Sequence, residues 1–272
     1  MRAALLKAKI EQTFPSAFTV YRRENRGSIP TGIAPIDEVV GGVPLHALTE
    51  ICGSNLASSG KTSVLVSLLA QATRDRFCAL VDAGDCFDPA SGQAAGIALS
   101  RLLWVRCGKS RGPQQARFWL AGVESRGPQN GRFCRSGVES RVKLPPLEQA
   151  FKVADILLQS SGFGLIAVDL SGLPERVVRK VPLSSWFRFS RVIERQPAAL
   201  VFIEQEPHAT SCAGLVLRVT SATAVCSGKL LTHVFSGNLL TQWNLNAEVV
   251  RGRGKKLVRS ERPGFSLQTQ WA

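Results

Sequence analysis

The sequence predicts an α/β fold in which a mostly parallel sheet is covered by helices and ends in an antiparallel extension. Five short runs of apolar residues are continuous rather than alternating, which is typical of parallel strands buried on both faces. Stretches with helical spacing of apolar residues lie between them, and this order indicates βαβ units. From about residue 214 onward the patterns are strand-like, which predicts the antiparallel end of the sheet.

The predicted elements follow one another along the chain. The predicted strands cover residues 48–52, 78–82, 102–106, 165–169 and 200–204. The predicted helices cover residues 62–74, 90–100, 147–160 and 182–195. Residues 2–14 carry one apolar stripe at near-helical spacing, which packs either on the chain's own core or on a neighbouring subunit.

Composition excludes several classes of protein. The chain has 272 residues, of which 44% are hydrophobic, and this apolar content excludes a wholly disordered protein. No apolar run approaches the ~20 residues of a membrane-spanning helix, and Lys7, Lys9 and Glu11 interrupt any secretory signal. Seven cysteines without a C-x-x-C pair predict reduced thiols and no zinc site. The sequence therefore predicts a cytoplasmic protein that does not enter a membrane.

The formal net charge is +14, and half of it lies in one segment. Residues 106–143 hold nine basic and two acidic residues, 9 − 2 = +7, and include a tandem repeat, SRGPQQARFWLAGVE followed by SRGPQNGRFCRSGVE. Either it is a nucleic-acid arm that pairs arginines with phosphates, or it is a duplicated surface loop without a role. We predict an N-terminal helix and linker at 1–28 and one domain at 29–272, interrupted by this insertion at 108–143.

The first predicted strand leads directly into a loop rich in small residues, EICGSNLASSGKTS at 50–63. A Gly-rich turn between a buried strand and a helix presents backbone N–H groups to phosphates. We predict that the loop binds ATP, with Lys61 on the β- and γ-phosphates and Thr62 on Mg²⁺. The predicted nucleotide-binding residues are Gly53, Ser58, Ser59, Gly60, Lys61, Thr62 and Ser63.

The loop departs from the P-loop pattern G-x-x-x-x-G-K-[ST] at its first glycine. That pattern places the glycine at position 55, where this chain has Asn55. Either the loop begins at Gly53 and is two residues longer, or Asn55 adopts the left-handed conformation. We predict a local bulge before Ser58. A second expected element is present, because the apolar strand GLIAV ends in Asp169, an acid positioned to order the Mg²⁺ shell.

Three longer stretches resemble the RecA recombinase family. IPTGIAPIDEVVGGVPLHALTEICGS at 29–54 is similar to the segment that leads into the family's P-loop, and ALVDAGDCFDP at 79–89 resembles its D-A-E-x-x-x-D-P signature. VFIEQ at 201–205 resembles the strand whose terminal glutamine, here Gln205, senses the γ-phosphate. The resemblance covers about 29–107 and 147–218. It implies a three-layer RecA-type core, ATP and Mg²⁺ as ligands, single-stranded DNA as a partner, contacts between identical subunits, and a role in DNA repair and the SOS response.

Two departures from the family bear on mechanism. Gly84 occupies the position of the glutamate that polarises water in the family, and Asp85 is the nearest candidate replacement. We therefore expect ATP hydrolysis to be weak or absent. The second DNA loop, after Gln205, is reduced to EPHATSCAG, so strand exchange is not expected. This trimmed pattern resembles the ImuA-type accessory proteins, which implies a translesion DNA polymerase as partner.

Two basic clusters are candidate DNA-binding surfaces. The first contains Arg176, Arg179 and Lys180, followed by aromatic residues at 186, 187 and 189. It holds a single strand by charge and stacking, or else the aromatics are core and the arginines form a solvated or protein-binding face. The second contains Arg251, Arg253 and Lys255 and is either a phosphate-contacting loop or a solvated hairpin tip.

Overall fold

The computed structural model describes residues 27–54, 59–107, 144–160, 162–231, 236–252 and 264–267. Within these ranges it describes only the backbone of residues 221–245 and 264–267. The predicted N-terminal helix and the insertion at 108–143 therefore lie outside the described residues.

The described elements form one large sheet, one short ribbon and several helices. The strands are β1 (Ser28–Ile29), β2 (Val43–Pro44), β3 (Ala47–Cys52), β4 (Cys78–Asp82), β5 (Leu102–Arg106), β6 (Leu165–Asp169), β7 (Ala199–Glu204), β8 (Ala213–Leu231), β9 (Ser236–Arg251) and β10 (Gly264–Leu267). The helices are α1 (Ala34–Val40), α2 (Lys61–Ala72), α3 (Pro89–Ala94), α4 (Pro146–Gln159), α5 (Glu175–Val178) and α6 (Leu183–Ile193).

The large sheet has eight strands in the order β10-β9-β8-β3-β7-β6-β4-β5. The pairs from β8 across to β5 are all parallel, whereas β9 pairs antiparallel with both β8 and β10. The predicted α/β fold with an antiparallel C-terminal extension is confirmed. The five predicted strands match the observed ones to within one residue. β4, β6 and β7 are mainly apolar runs that are buried along their whole length, whereas β5 lies at the edge of the sheet and is only partly buried.

Helices cover both faces of the sheet. On one face, α2 packs Val64, Leu65 and Leu68 against the strands. On the other face, α4 and α6 enclose an aromatic cluster in which Trp186 and Phe189 meet Phe202 of β7 at centroid distances of 4.8 and 5.7 Å. The three layers bring the carboxyl ends of β3, β4, β6 and β7 to one edge, where a parallel sheet binds its ligands.

One predicted helix is wrong in part. The helix predicted over 90–100 ends at Ala94 as α3, and a separate 3₁₀ turn, Leu99–Arg101, leads into β5. Gly96 lies between them with φ of +95°, a left-handed conformation that ends the helix. The helical spacing of apolar residues continues past this break, because Ile97 is also buried in the core, and the pattern therefore predicted one longer helix.

The segment TGIAPID is held by its aspartate. Asp37 on α1 accepts hydrogen bonds from the backbone N–H and hydroxyl of Thr31, both at 2.8 Å, and from the N–H of Gly32 at 3.1 Å. These bonds close the turn between β1 and α1 and thereby place the ribbon of β1 and β2 beside β3. No helix in the described part of the chain has the length and apolar character needed to cross a bilayer.

Candidate nucleotide-binding site

The loop between β3 and α2 ends in an open helix terminus. Gly60 is the N-cap of α2 with φ of +82°, and no side chain of the described residues is shown to cap the helix. The first N–H groups of a helix have no partner within the helix, and they form a ready site for an anion. Thr62 and Ser63 lie exposed in the first turn of the same helix. Ser58 and Asn55, the two residues of the predicted bulge, lie outside the described residues.

Gly53 begins the loop in a space too small for a side chain. A Cβ at this position would lie 2.5 Å from the Oγ of Ser59 and 2.8 Å from the carbonyl oxygen of Val219 on β8. The start and the end of the loop therefore meet directly, which brings Gly53 and Ser59 together against the sheet. This contact accounts for a glycine two residues earlier than the P-loop pattern expects.

Lys61 lies at the centre of the site. Its side chain is only 5% exposed, and its Nζ donates a hydrogen bond to the carbonyl of Gly53 at 2.6 Å. Burial lowers the pKa of Lys61, and the nearby carboxylate of Asp169 opposes that shift. A buried ammonium at the N-terminus of a helix is an arrangement that favours a polyphosphate.

Asp169 ends β6 beside this ammonium. One carboxylate oxygen accepts hydrogen bonds from the N–H and hydroxyl of Ser171, at 2.8 and 2.5 Å. Burial raises the pKa of Asp169, the bonds from Ser171 and the charge of Lys61 lower it, and Asp82 raises it further. Carboxylate and hydroxyl oxygens are the hard ligands that Mg²⁺ prefers, so Asp169 and Thr62 fit a nucleotide-bound Mg²⁺. No three His, Cys, Asp or Glu side chains of the described residues form a closed metal site by themselves.

Asp82 organises the loop that carries the family's glutamate position. It is fully buried, and its carboxylate accepts hydrogen bonds from the N–H groups of Cys86 (3.1 Å) and Phe87 (2.9 Å) and from the indole of Trp104 (3.3 Å). Sequence reasoning did not assign Asp82 a role. Asp82 could have been recognised from its position at the end of an apolar strand, the same position that Asp169 has on β6.

Gly84 touches the loop after β6 through its backbone. A Cβ on Gly84 would lie 2.8 Å from the Cα of Gly172, and a Cβ on Gly172 would lie 2.7 Å from the Cα of Gly84. The two loops therefore approach each other more closely than side chains permit. This packing explains why position 84 holds glycine rather than glutamate, because the contact requires glycine on both sides.

Asp85, the candidate replacement, is engaged elsewhere. It has φ of +56°, and its carboxylate forms a two-pronged ion pair with the guanidinium of Arg106, in which Nη2 lies 2.6 Å from Oδ2. Arg106 ends β5, the strand at the sheet's outer edge, and stacks on Trp104 at 5.0 Å. A role as general base would require Asp85 to leave this pair.

Gln205 follows β7 and reaches across to the loop after β6. Its Nε2 donates to the carbonyl of Leu173 at 2.9 Å, so the predicted sensor links two of the loops that border the site. Sequence reasoning missed a buried cluster around it. Glu50, Glu204 and His208 are joined by hydrogen bonds on the opposite face of the sheet from α2.

The basic residues divide into exposed and engaged groups. Arg176, Arg179 and Lys180 are exposed, and none forms an ion pair within the described residues. Arg251 donates a hydrogen bond to the carbonyl of Thr210, whereas Arg253 and Lys255 lie outside the described residues.

The aromatics that follow the first basic cluster also divide. Trp186 and Phe189 are core residues, and Phe187 is 45% exposed. The core interpretation therefore holds for two of the three rings. Phe187 remains on the surface, on the same helix as Arg188 and Arg191.

Comparisons with known proteins agree with this geometry. A family model described as the RecA N-terminal domain matches residues 8–115, which is 108 of the 272 residues and includes the loop before α2. This part of the chain is similar to the N-terminal domain of the RecA family. A protein RecA of Symbiobacterium thermophilum is 40% identical over 84 residues, covering 30% of this chain and 23% of that protein. A protein RecA of Haemophilus ducreyi is 35% identical over 79 residues, covering 28% of this chain and 21% of that protein. The RecA-like match thus spans less than a quarter of either relative.

Proposed function

We propose that this chain is a RecA-like protein that binds ATP and Mg²⁺, associates with single-stranded DNA and acts in DNA repair and the SOS response. The observation that carries the proposal is the buried Lys61 ammonium at the start of α2, where the residue is 5% exposed and lies next to Asp169. A buried cation at the N-terminus of a helix is stabilised by a polyphosphate anion. The similarity of residues 8–115 to the RecA N-terminal domain supports a nucleotide as that anion.

Each residue of the site has an assigned role. The backbone N–H groups from Gly60 onward and Lys61 hold the phosphates, Thr62 and Asp169 hold the magnesium ion, and Gln205 senses the terminal phosphate. Magnesium, when bound, neutralises phosphate charge and orders the phosphate oxygens. The chain's own contribution is to hold these groups at the converging ends of β3, β6 and β7.

Titration of ATP-Mg into the purified protein tests the proposal. Lys61→Met keeps the aliphatic stem in its buried site and removes the charge, so it is expected to weaken ATP binding about 10- to 100-fold, the loss of one or two charged hydrogen bonds. Lys152→Met, on the exposed face of α4, removes the same charge and is expected to leave the affinity unchanged. Equal affinity in Lys61→Met and the parent protein, with both folded by circular dichroism, would refute the nucleotide site.

We propose that hydrolysis of the bound ATP is weak or absent. Gly84 occupies the position of the family's glutamate, and its contact with Gly172 leaves no space for a side chain. Asp85 is held by Arg106 in a two-pronged ion pair. Turnover is measured with and without single-stranded DNA, beside Lys61→Met. If turnover is present and depends on both Lys61 and Asp85, then Asp85 acts as the base after leaving Arg106.

A second candidate function is that of a non-hydrolysing scaffold of the ImuA type, which bridges a translesion DNA polymerase and DNA. The specific observation in its favour is the short connection at 205–212, which is bonded to its surroundings at several points. A fixed connection suits a binding surface better than a mobile DNA loop. The two candidates differ in turnover, because robust Lys61-dependent hydrolysis is expected only of the first.

The surface for single-stranded DNA is proposed around Arg176, Arg179 and Lys180, with Phe187 as the exposed aromatic. The cations are exposed and without carboxylate partners in the described part of the chain, and an exposed ring stacks on bases of any sequence. Association of identical subunits is proposed on the family resemblance alone, and sedimentation of the protein with and without ATP tests it.

A further inference from the structure

A buried carboxylate holds the connection between β7 and β8 against β3. Glu50 has no exposed surface, and its Oε1 accepts hydrogen bonds from the N–H groups of His208 (2.7 Å) and Ala209 (2.6 Å). Thr210 follows with φ of +46°, which is rare for a β-branched residue, and Arg251 donates to its carbonyl. Strained residues of this kind persist only where surrounding contacts over-determine them. The path of the connection is therefore enforced by its neighbours.

A second carboxylate meets the connection from β7. Nδ1 of His208 lies 2.6 Å from Oε2 of Glu204, whose side chain has no exposed surface, and the side chain of His208 is 12% exposed. The hydrogen bond that the imidazole donates to Glu204 raises the pKa of His208, and burial raises the pKa of Glu204 to about 7. Gln205 lies in sequence between these two partners, so their ion pair closes a short ring of backbone around it.

Two oxygens of this cluster have no hydrogen-bond partner among the described residues: Oε2 of Glu50 and Oε1 of Glu204. Parallel pairing places Glu50 opposite Phe202 and Glu204 opposite Cys52, so the two carboxyl groups share one face of the sheet on adjacent strands. A buried oxygen without a donor is costly, and the charge of Glu50 further disfavours a charge on Glu204. One proton shared by the pair lowers both costs, because a protonated carboxyl group is itself a donor. With a protonated His208 the cluster then holds one negative and one positive charge.

We propose that Glu50, Glu204 and His208 are positioning residues, a clasp that holds Gln205 in place only while the imidazole of His208 is protonated. The inference rests on the proposed function, since its consequence is read through Gln205 as the sensor of the terminal phosphate. While the clasp is closed, the backbone at 205–208 is fixed and the Gln205 amide reaches the Leu173 carbonyl. Loss of the imidazole proton removes the cation that compensates Glu204, and the connection loosens. Discrimination between ATP and ADP is therefore stronger at low pH and falls as the pH rises through the midpoint of His208.

Other charged and titratable groups face the clasp from each packed element. They are Cys52 on β3, Glu175 on α5, Glu206 and Cys212 in and after the connection, Arg218 on β8 and Arg251 on β9. From α6, Ser190 donates its hydroxyl to the carbonyl of Cys212 at 3.1 Å. Glu206 is 54% exposed and pairs with Arg218 at 3.4 Å, so it lies beside the clasp without belonging to it.

The first test follows the imidazole directly and needs no nucleotide. The chain has three histidines, His46, His208 and His233, so the ring signals in a ¹H–¹³C NMR spectrum are few, and His208→Gln identifies one of them. We expect the midpoint of His208 to lie above the ordinary ~6.5. Glu204→Gln is expected to lower it because the ion pair is lost, and Glu50→Gln to lower it less. Glu206→Gln is the matched control and leaves the midpoint in place.

The second test follows the consequence. Affinities for ATP-Mg and ADP-Mg are measured from about pH 6 to about pH 9, a range that starts below the ordinary midpoint of an imidazole and extends well above it. We expect the ATP preference of the parent protein to fall about 5-fold or more across this range, the lower end of a typical coupling. The profile is expected to be flat in His208→Gln and in Gln205→Ala, and unchanged in Glu206→Gln.

The outcomes separate the clasp from the nucleotide site. An ordinary midpoint for His208 that Glu204→Gln does not move overturns the clasp, as does an ATP preference with the same pH profile in His208→Gln. If His208→Gln does not fold, the titration in the parent and in Glu204→Gln still decides. If Lys61→Met does not weaken ATP binding, the proposed function fails, and the imidazole titration continues to test the clasp without any nucleotide.

Discussion

Gly84→Ala is the sharpest test of the packing that replaces the family's glutamate. The added Cβ would lie 2.8 Å from the Cα of Gly172 and 3.0 Å from the Sγ of Cys86. Ordinary carbon contacts lie at ~3.5–4.0 Å, so the loop after β4 and the loop after β6 must separate by about 0.7 Å or more. Gly84 does not have a positive φ, so the alanine backbone itself is unstrained. The whole effect is therefore steric.

The expected magnitude is that of overpacking, about 1–3 kcal/mol of unfolding free energy. For a chain of this size it corresponds to a decrease in Tm of roughly 2–12 °C. The assay is thermal and denaturant unfolding of Gly84→Ala beside Gly162→Ala. Gly162 also has no positive φ, and a Cβ there meets only the carbonyl of Ser160 at 3.8 Å. The control is expected to be neutral or slightly stabilising, by ~0.4–1 kcal/mol.

Gly84→Glu extends the test to function. It installs the family's residue but carries the same clash, so we expect a loss of stability without a gain in ATP turnover. A Gly84→Ala variant as stable as Gly162→Ala would refute the packing explanation. A Gly84→Glu variant that hydrolyses ATP with unchanged stability would also refute it, because the packing would then not require glycine at position 84.

Three further predictions concern other parts of the molecule. Asp37→Ala leaves three donors without their acceptor and is expected to cost about 2 kcal/mol in denaturant unfolding, whereas exposed Glu38→Ala stays within ~0.5 kcal/mol; equal costs would contradict the role of Asp37. Arg179→Ala is expected to reduce the slope of log affinity against log salt concentration for single-stranded DNA by about one unit, measured by fluorescence titration. Arg188→Ala is expected to reduce this slope by less, because the Arg188 charge already pairs with Asp155 at 2.6 Å. A larger effect of Arg188→Ala would show that the DNA binds on a different surface. Burial raises the pKa of Glu204 from its ordinary 4.5 to about 7, so the folded state binds an extra proton between these values and loses stability as the pH rises through them. Glu204→Gln is therefore expected to reduce the dependence of the unfolding free energy on pH in this interval. The same dependence in Glu204→Gln and the parent protein would contradict this.

The basic surface and the nucleotide site occupy connected parts of the fold. α5 and α6 follow directly on β6, whose last residue is Asp169, and Gln205 bonds to Leu173 in the loop between them. A ligand on the exposed cations of α5 and a nucleotide at α2 would therefore act on the same short loop. This arrangement provides a direct route between DNA and nucleotide, should both bind as proposed.

Much of the fold was determined by local sequence patterns. Most of the parallel strands are apolar runs, and the exclusion of their side chains from water on both faces specifies them without knowledge of their partners. The prediction for the loop at 53–63 is equally local, because a small-residue turn between a buried strand and a helix is typical of an anion site. Lys61, Thr62 and Asp169 could therefore be predicted as phosphate and magnesium ligands from sequence alone.

Tertiary structure decided which of the other polar residues act together. Nothing local indicates that Gly84 and Gly172 touch, that Asp85 turns to Arg106, or that Glu50 bonds residues 158 positions further along the chain. These relations depend on which strands lie side by side, and strand order is set by burial summed over the entire sheet. A glycine or a buried acid has no periodic pattern of its own, so its role became visible only once the neighbouring strands and loops were in place.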